Sequence, residues 1–223
     1  MTYFKNLIRA YKAQKDGAAS IEFVLIAPVL IFLYIGLFEV SIAYSVNGSI
    51  NRSSEIAASF PTFEEELNED IISNIMTAAT AVIDYSAFDP NKLAIDIYSI
   101  EQQGNTADTR RLVGQASYTG SAATGIKSNL QASDFQNILT TIGAGNGFIV
   151  AQVAYRYEPS ITNKFVQALT LSDRKILNPR ENLGQALNVT AKNGGVDVDR
   201  AKLDCTLNAG NLGFNCSFDG QLP

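Results

Sequence analysis

The sequence predicts an α+β protein in which a long N-terminal helix, apolar at its start, leads into a small domain with one helix and an antiparallel sheet. Three observations predict this fold class. An apolar run covers residues 18–44, a helical period follows over residues 62–84, and alternating segments rich in β-branched and aromatic residues come after it. At 223 residues, the chain has room for one membrane segment and one compact domain.

Charge and composition exclude several classes of function. The net charge is -5 and the pI is about 4.8, yet residues 1–17 are basic. An acidic chain with a short basic end is not expected to bind nucleic acid. The chain has no histidine, the commonest general base and the commonest zinc ligand. We therefore predict that it is not an enzyme and that it has no catalytic residues, no metal site and no cofactor.

The apolar run predicts a transmembrane helix. No charge stands from Phe23 to Phe38, a stretch of about 24 Å as a helix against a hydrocarbon core of about 30 Å. Including residues 18–44 reaches spanning length and places Glu22 and Glu39 at the two boundaries. A removed secretory signal is the alternative, but this run is long and no small-x-small cleavage site follows it promptly. The basic end then lies in the cytoplasm and the remainder outside.

Glu22 is the residue that a simple membrane anchor does not need. A carboxylate at this depth costs about 2 to 3 kcal/mol unless it has a partner or reaches the interface. Gly17 precedes it, with charge before it and small residues after it. If the peptide bond after Gly17 were cut, Ala18 would become a positive N-terminus and Glu22 the fifth residue.

This pattern resembles the type IV pilin-like signal of the TadE/TadF-like pseudopilins of the Tad (Flp) pilus system. In that family a prepilin peptidase cuts after a glycine on the cytoplasmic side, and the fifth residue of the mature chain is glutamate. The resemblance implies processing between Gly17 and Ala18, and pairing of Glu22 with the amine of a neighbouring subunit. Phe23 replaces the usual tyrosine of major pilins, and the chain is much longer than theirs, which implies a minor subunit.

A helical stalk is predicted over residues 45–61. Its apolar positions form one stripe that suits packing either on its own domain or on neighbouring subunits, and Pro61 ends it; the stripe is Ala43, Val46, Ile50, Ala57 and Phe60. Thr62 and Glu65 form a capping-box pattern, which predicts a second helix from residue 62 to about Asp84.

Strands are predicted next. Residues 93–98 and 110–118 form a hairpin, Asp134 caps a short helix, and residues 147–158 form the strongest strand. Val153, Tyr155, Tyr157 and Pro159 in this strand resemble the V-x-V-x-Y-x-Y-x-P strand of the TadE-like family, and residues 178–180 resemble its closing P-R element.

The last segment, residues 183–223, is rich in Gly and Asn and predicts irregular structure or short strands, with a turn at residues 193–195. Cys205 and Cys216 predict a disulfide in an oxidising compartment, and two free thiols otherwise. The predicted plan is a leader at 1–17, a transmembrane helix at 18–44, a stalk at 45–61, a periplasmic α+β domain at 62–182 and this tail.

Other chemical motifs are weak. The glycine-rich residues 143–147 follow a predicted helix, the reverse of a phosphate loop. Asp197 and Asp199 lack the remaining ligands of a calcium loop. Ser172 and Lys175 have no strained elbow around them, so a charged surface loop is the simpler interpretation.

The sequence thus predicts a minor pseudopilin that is needed for Tad/Flp pilus assembly. It would span the bacterial inner membrane once, with a cytoplasmic N-terminus and a periplasmic C-terminal domain. The implied partners are the prepilin peptidase, other pilin and pseudopilin subunits, the inner-membrane pilus machinery and the lipid bilayer. Two other functions stay open: an uncleaved, membrane-anchored periplasmic binding or adhesion protein, and an anchored hydrolase.

Overall fold

The N-terminal element is one long helix. The structure is a computed structural model that describes residues 16–83, 86–102, 110–126, 146–159, 161, 167–180, 187–208 and 213–222. Helix α1, Asp16–Ser59, has 44 residues and contains Pro28. At about 1.5 Å per residue it extends for roughly 66 Å. The predicted transmembrane segment and the predicted stalk are therefore parts of a single helix.

Helix α1 ends where the proline predicted it to end. Phe60–Phe63 form a turn of 3-10 helix with Pro61 inside it, because proline has no N–H with which to continue an α-helix. The Thr62 hydroxyl donates to the Ser59 carbonyl oxygen at 2.6 Å. Thr62 thus satisfies one of the open carbonyls at the C-terminus of α1.

The second helix starts later than the sequence predicts. Helix α2 is Glu69–Ala81, so the predicted start at residue 62 is wrong. The reason is that the Thr62 hydroxyl is bonded backwards to α1 and does not cap a new helix. The N-cap is Asn68, whose Oδ1 accepts a hydrogen bond from the Ile71 N–H at 2.9 Å.

A six-stranded sheet forms the second layer. After a 3-10 turn at Pro90–Lys92, the strands in the described ranges are β1 Leu93–Gln102, β2 Arg110–Thr119, β3 Gly147–Tyr157, β4 Leu169–Leu177, β5 Ala191–Asn193, β6 Val196–Val198, β7 Ala201–Leu207 and β8 Phe214–Gln221. The sheet order is β4-β3-β1-β2-β7-β8, and β5 and β6 form a separate hairpin. Among the described strands of this sheet, only the β2–β7 pair is parallel. The predicted α+β class is confirmed.

The first hairpin and the strongest strand are also confirmed. β1 pairs with β2, with Ile97 opposite Ala116, and with β3 on its other side, with Ile97 opposite Ala151. All of β3 except Arg156 is buried, which explains its β-branched and aromatic composition. The short helix predicted after Asp134 lies outside the described residues.

The C-terminal segment contributes more to the fold than the sequence predicts. Gly194 and Gly195 make the predicted turn between β5 and β6 with φ of 61° and 89°, values that glycine adopts without strain. β7 and β8 then extend the main sheet beyond β2. The sequence predicted short strands or irregular structure there, but not their pairing with the domain.

The main core lies between the helices and one face of the sheet. The C-terminal half of α1 packs on β3 and β4, and α2 packs on β8 and on α1. Fully buried side chains come from both layers, among them Ile50, Ile72, Met76, Ile95, Val153 and Leu203. A smaller apolar cluster on the opposite face consists of Tyr98, Ile100, Phe148 and Val150. The centre of the sheet is therefore buried on both faces.

Candidate functional site

The N-terminal half of α1 is an apolar helix that the rest of the protein does not cover. Apart from Ile35, which is half-buried, its large apolar side chains from Ile21 to Val40 are 50 to 73% exposed. Within the described part of the chain, this is the one helix long and apolar enough to cross a membrane. It is therefore compatible with a single-pass anchor.

The helix enters the domain at Glu39. This carboxylate is only 6% exposed, and one face of the helix beyond it is buried, with Val46, Ile50 and Ala57 nearly inaccessible. These three residues belong to the predicted apolar stripe, and they pack on the chain's own domain. Phe60, the last member of the predicted stripe, is 44% exposed.

Glu39 is held by two donors from the sheet side. The Tyr157 hydroxyl donates to Glu39 Oε2 at 3.1 Å, and the Ile161 backbone N–H donates to Oε1 at 2.6 Å. A carboxylate removed from water needs such partners. The pair of bonds joins the point where α1 leaves its exposed half to the end of β3 and the segment after it. Sequence reasoning placed Glu39 at the membrane boundary, but no local spacing connects it with Tyr157.

Glu22 is in a different environment. It lies on the exposed surface of α1, one helical turn beyond Ala18. No lysine or arginine stands from residue 18 to residue 51, so α1 offers it no basic partner within reach. Gly17 and Ala18 lie in the first described turn of the helix, and residues 1–15 of the predicted leader lie outside the described residues. The processing site and the charge pair stay predictions.

Two further contacts hold the C-terminal half of α1 on the domain. The Ser54 hydroxyl donates to Asp173 Oδ2 of β4, an oxygen that Lys175 Nζ also approaches at 3.2 Å. Asp173 therefore acts as a structural partner of α1, and Lys175 is its ion-pair partner. At the helix end, the Arg180 N–H donates to the Thr62 carbonyl oxygen at 2.8 Å, and its guanidinium lies 4.8 Å from the centre of the Phe63 ring.

The cysteines meet across the edge hairpin. Cys205 of β7 is opposite Cys216 of β8, and their sulfur atoms are bonded. Cys205 is 3% exposed and faces the main core. The bridge closes the hairpin at the sheet edge next to α2, where the Ser73 hydroxyl donates to the Phe214 carbonyl oxygen.

An acidic groove lies at the N-terminus of α2. It has a volume of about 620 Å³, and Asp197 and Asp199 line it with Glu66, Glu69, Asp70 and Lys192. In the described ranges, no group of three or more His, Cys, Asp or Glu side chains is arranged to hold a metal ion. The two aspartates thus contribute to a charged surface.

Comparison with known proteins adds one finding, and it concerns α1. Residues 17–59 match the family model of TadE-like proteins. The match begins at Gly17 and ends with the last residue of α1. No curated protein and no solved structure matches the chain. The family match confirms the resemblance predicted from Gly17, Ala18 and Glu22, and residues 17–59 of this chain are similar to TadE-like proteins.

Proposed function

We propose that this chain is a non-enzymatic minor pseudopilin of the TadE/TadF-like kind that takes part in the assembly of Tad/Flp pili. The observation that carries the proposal is the TadE-like match over a helix whose apolar N-terminal half is left bare by its own domain. Exposed apolar surface of this extent needs a lipid or protein environment. In the proposed role, the bilayer covers the helix first, and the helices of other pilin and pseudopilin subunits cover it on assembly.

The proposed orientation of the chain in the membrane follows from the positive charge of its leader. The basic leader stays in the cytoplasm, and the domain lies in the periplasm of a bacterium with this pilus system. An oxidising periplasm also suits the bond between Cys205 and Cys216. A prepilin peptidase on the cytoplasmic side then cuts after Gly17.

Glu22 supplies the electrostatic part of assembly. Cleavage gives Ala18 a positive α-amine, and the carboxylate lies one turn further along the helix. Since a carboxylate in an apolar environment is costly without a partner, the amine of an adjacent subunit gives this charge a counter-ion. The pairing fixes the axial position of one helix against the next.

Processing is tested by co-expression with a matching prepilin peptidase, followed by mass determination and N-terminal sequencing. The expected product lacks residues 1–17 and begins at Ala18. A known pilin expressed in parallel is the control for peptidase activity. If that control is processed while this chain still begins at Met1, the chain is an uncleaved, membrane-anchored periplasmic binding protein instead.

The role of Glu22 is tested by Glu22→Ala in the native host. The variant is expected to enter the membrane normally and to abolish or strongly reduce pilus formation. Glu55→Ala is the matched control, because Glu55 is an exposed carboxylate on the same helix but outside the membrane segment. Normal piliation in both variants would remove the charge pair from the proposal.

A further inference from the structure

The base of the domain carries an apolar surface of its own. Ile161 follows β3 and Leu169 begins β4, and their side chains are 53% and 47% exposed. On α1, Val40 is 67% exposed and Tyr44 is 80% exposed. We call these four residues the apolar rim.

The height of the rim along α1 follows from the bonds of Glu39. The Ile161 N–H contacts Glu39 Oε1, and side chains on a helix lean toward its N-terminus. Ile161 is therefore level with Glu39 or slightly nearer the N-terminus of α1. Leu169 is paired with Tyr157 across β3 and β4, and the Tyr157 hydroxyl reaches the same carboxylate.

That height coincides with the membrane surface. From Ala18 to Glu39 the helix rises about 32 Å, which is close to the thickness of a hydrocarbon core of about 30 Å. Tyr44 lies about 7 Å further along the axis, at the depth of lipid headgroups, where tyrosine is enriched in membrane proteins. The rim thus adjoins the bare helix through Val40, and a helix that spans the bilayer from Ala18 brings the rim to the interfacial layer.

Among the residues that the structure describes, the charges of Lys92, Arg156 and Glu158 beside the rim are paired. Glu158, which lies between Tyr157 and Ile161, accepts a hydrogen bond from Lys92 Nζ at 2.9 Å, and Arg156 Nε lies 3.9 Å from its other oxygen. Pairing lowers the cost of bringing these groups close to lipid.

We propose that the apolar rim is a lipid-binding surface, so that the base of the domain rests in the outer interfacial layer of the bilayer with Ile161 and Leu169 inserted among the headgroups. The inference rests on the proposed membrane anchorage. It adds that the domain itself contacts the membrane, with Glu39 as the positioning residue that fixes its height. A domain seated in this way has a set orientation before it meets another subunit.

The absence of tryptophan from the chain allows a direct test with single-tryptophan variants of the full-length protein. Ile161→Trp and Leu169→Trp report on the rim. Leu30→Trp reports on membrane insertion of the helix, and Phe60→Trp is an exposed control about 32 Å beyond Glu39 along the helix axis. Each variant is placed in vesicles of phosphatidylethanolamine and phosphatidylglycerol, with phosphatidylcholine brominated either near the glycerol or near the chain end. Circular dichroism verifies that each variant is folded.

We expect bromine near the glycerol to quench Ile161→Trp and Leu169→Trp severalfold more strongly than Phe60→Trp, while bromine near the chain end quenches Leu30→Trp best. If the Ile161 and Leu169 variants are quenched no more than Phe60→Trp while Leu30→Trp is quenched, the domain stands clear of the bilayer and the inference is wrong. A blue-shifted but unquenched emission at both rim positions assigns the rim to contact between copies of the chain, which also overturns it. If Leu30→Trp is not quenched, the membrane anchorage itself fails and the inference fails with it.

Discussion

The Tyr157→Phe variant tests how firmly α1 is attached to the domain. It removes the hydroxyl that donates to Glu39 Oε2 and keeps the ring, which is 1% exposed, in place. A hydrogen bond to a charged group contributes about 1.5 to 3 kcal/mol. The oxygen–oxygen distance of 3.1 Å is long for a hydroxyl donor, so we expect a loss near the lower limit, about 1.5 kcal/mol.

The assay is thermal unfolding of the full-length protein in one fixed detergent, followed by circular dichroism. A loss of about 1.5 kcal/mol lowers the Tm of a protein of this size by about 3 to 6 °C. Tyr155→Phe is the matched control. Tyr155 lies two positions earlier on the same strand face and is equally buried, but its hydroxyl accepts a longer bond of 3.3 Å from the Asp89 N–H. That neutral bond contributes less, about 0.5 to 1 kcal/mol.

A double-mutant cycle separates the bond from other effects of the substitution. Glu39→Gln combined with Tyr157→Phe should cost less than the sum of the two single losses, with a coupling energy of about 0.5 to 3 kcal/mol. A coupling energy near zero, or a Tm loss in Tyr157→Phe no larger than in Tyr155→Phe, would refute the reasoning.

Three further predictions concern the domain. Gly114→Ala should destabilise the protein by about 1 to 3 kcal/mol, because a Cβ at this position would lie 2.0 Å from a valine side chain. Gly48→Ala, where nothing lies within 4 Å, should stabilise the protein by about 1 kcal/mol. Denaturant unfolding measures both changes. Cys205→Ser combined with Cys216→Ser should cost about 3 kcal/mol through loss of loop closure, whereas free alkylation of both cysteines in periplasmic wild-type protein would contradict the bridge. Burial, followed by the nearby Asp96 charge, raises the pKa of Tyr98. In the unfolded chain this tyrosine loses its proton from about pH 10, so the free energy of unfolding should fall by up to about 1.4 kcal/mol per pH unit above that value. Unfolding curves at alkaline pH should show a smaller decline in Tyr98→Phe.

Some elements were predictable because their pattern is local. The bare half of α1 is a run without charges, and β3 is a buried run bounded by Pro159. Strand β4 was not predicted from the sequence, although its pattern is also local. It alternates, but Asp173 and Lys175 occupy positions on the face toward α1, where apolar residues are expected. Inward-facing charges on an edge strand protect the edge from wrong pairing, and the same charges conceal the strand in the sequence.

The assembly of the sheet was not predictable from periodicity, because it depends on contacts between distant segments. β2 pairs in parallel with β7, and nothing in either segment indicates the other. The bond between Glu39 and Tyr157 has the same character, since the partners are separated by 118 positions. Sequence reasoning identified both residues as unusual, the first for its charge beside an apolar run and the second for its place in a family-like strand, but only the fold joins them.

The two acids that flank the apolar run of α1 show why one carboxylate belongs to the fold and the other to the proposed assembly. Both flank the same apolar run, so both would cost free energy without a partner. Glu39 obtains two donors from its own domain and is thereby removed from solvent. Glu22 is exposed, and α1 offers it no cation from residue 18 to residue 51. No side chain of residues 18–51 supplies a cation for Glu22, so in the proposed function its counter-ion is an α-amine liberated by cleavage, and we propose that it is the amine of a neighbouring subunit. Ile26→Lys places a cation one turn from Glu22 on the same helix. An ion pair within the helix should make Glu22 less dependent on the amine of a neighbouring subunit. We therefore expect this variant to enter the membrane but to form fewer pili.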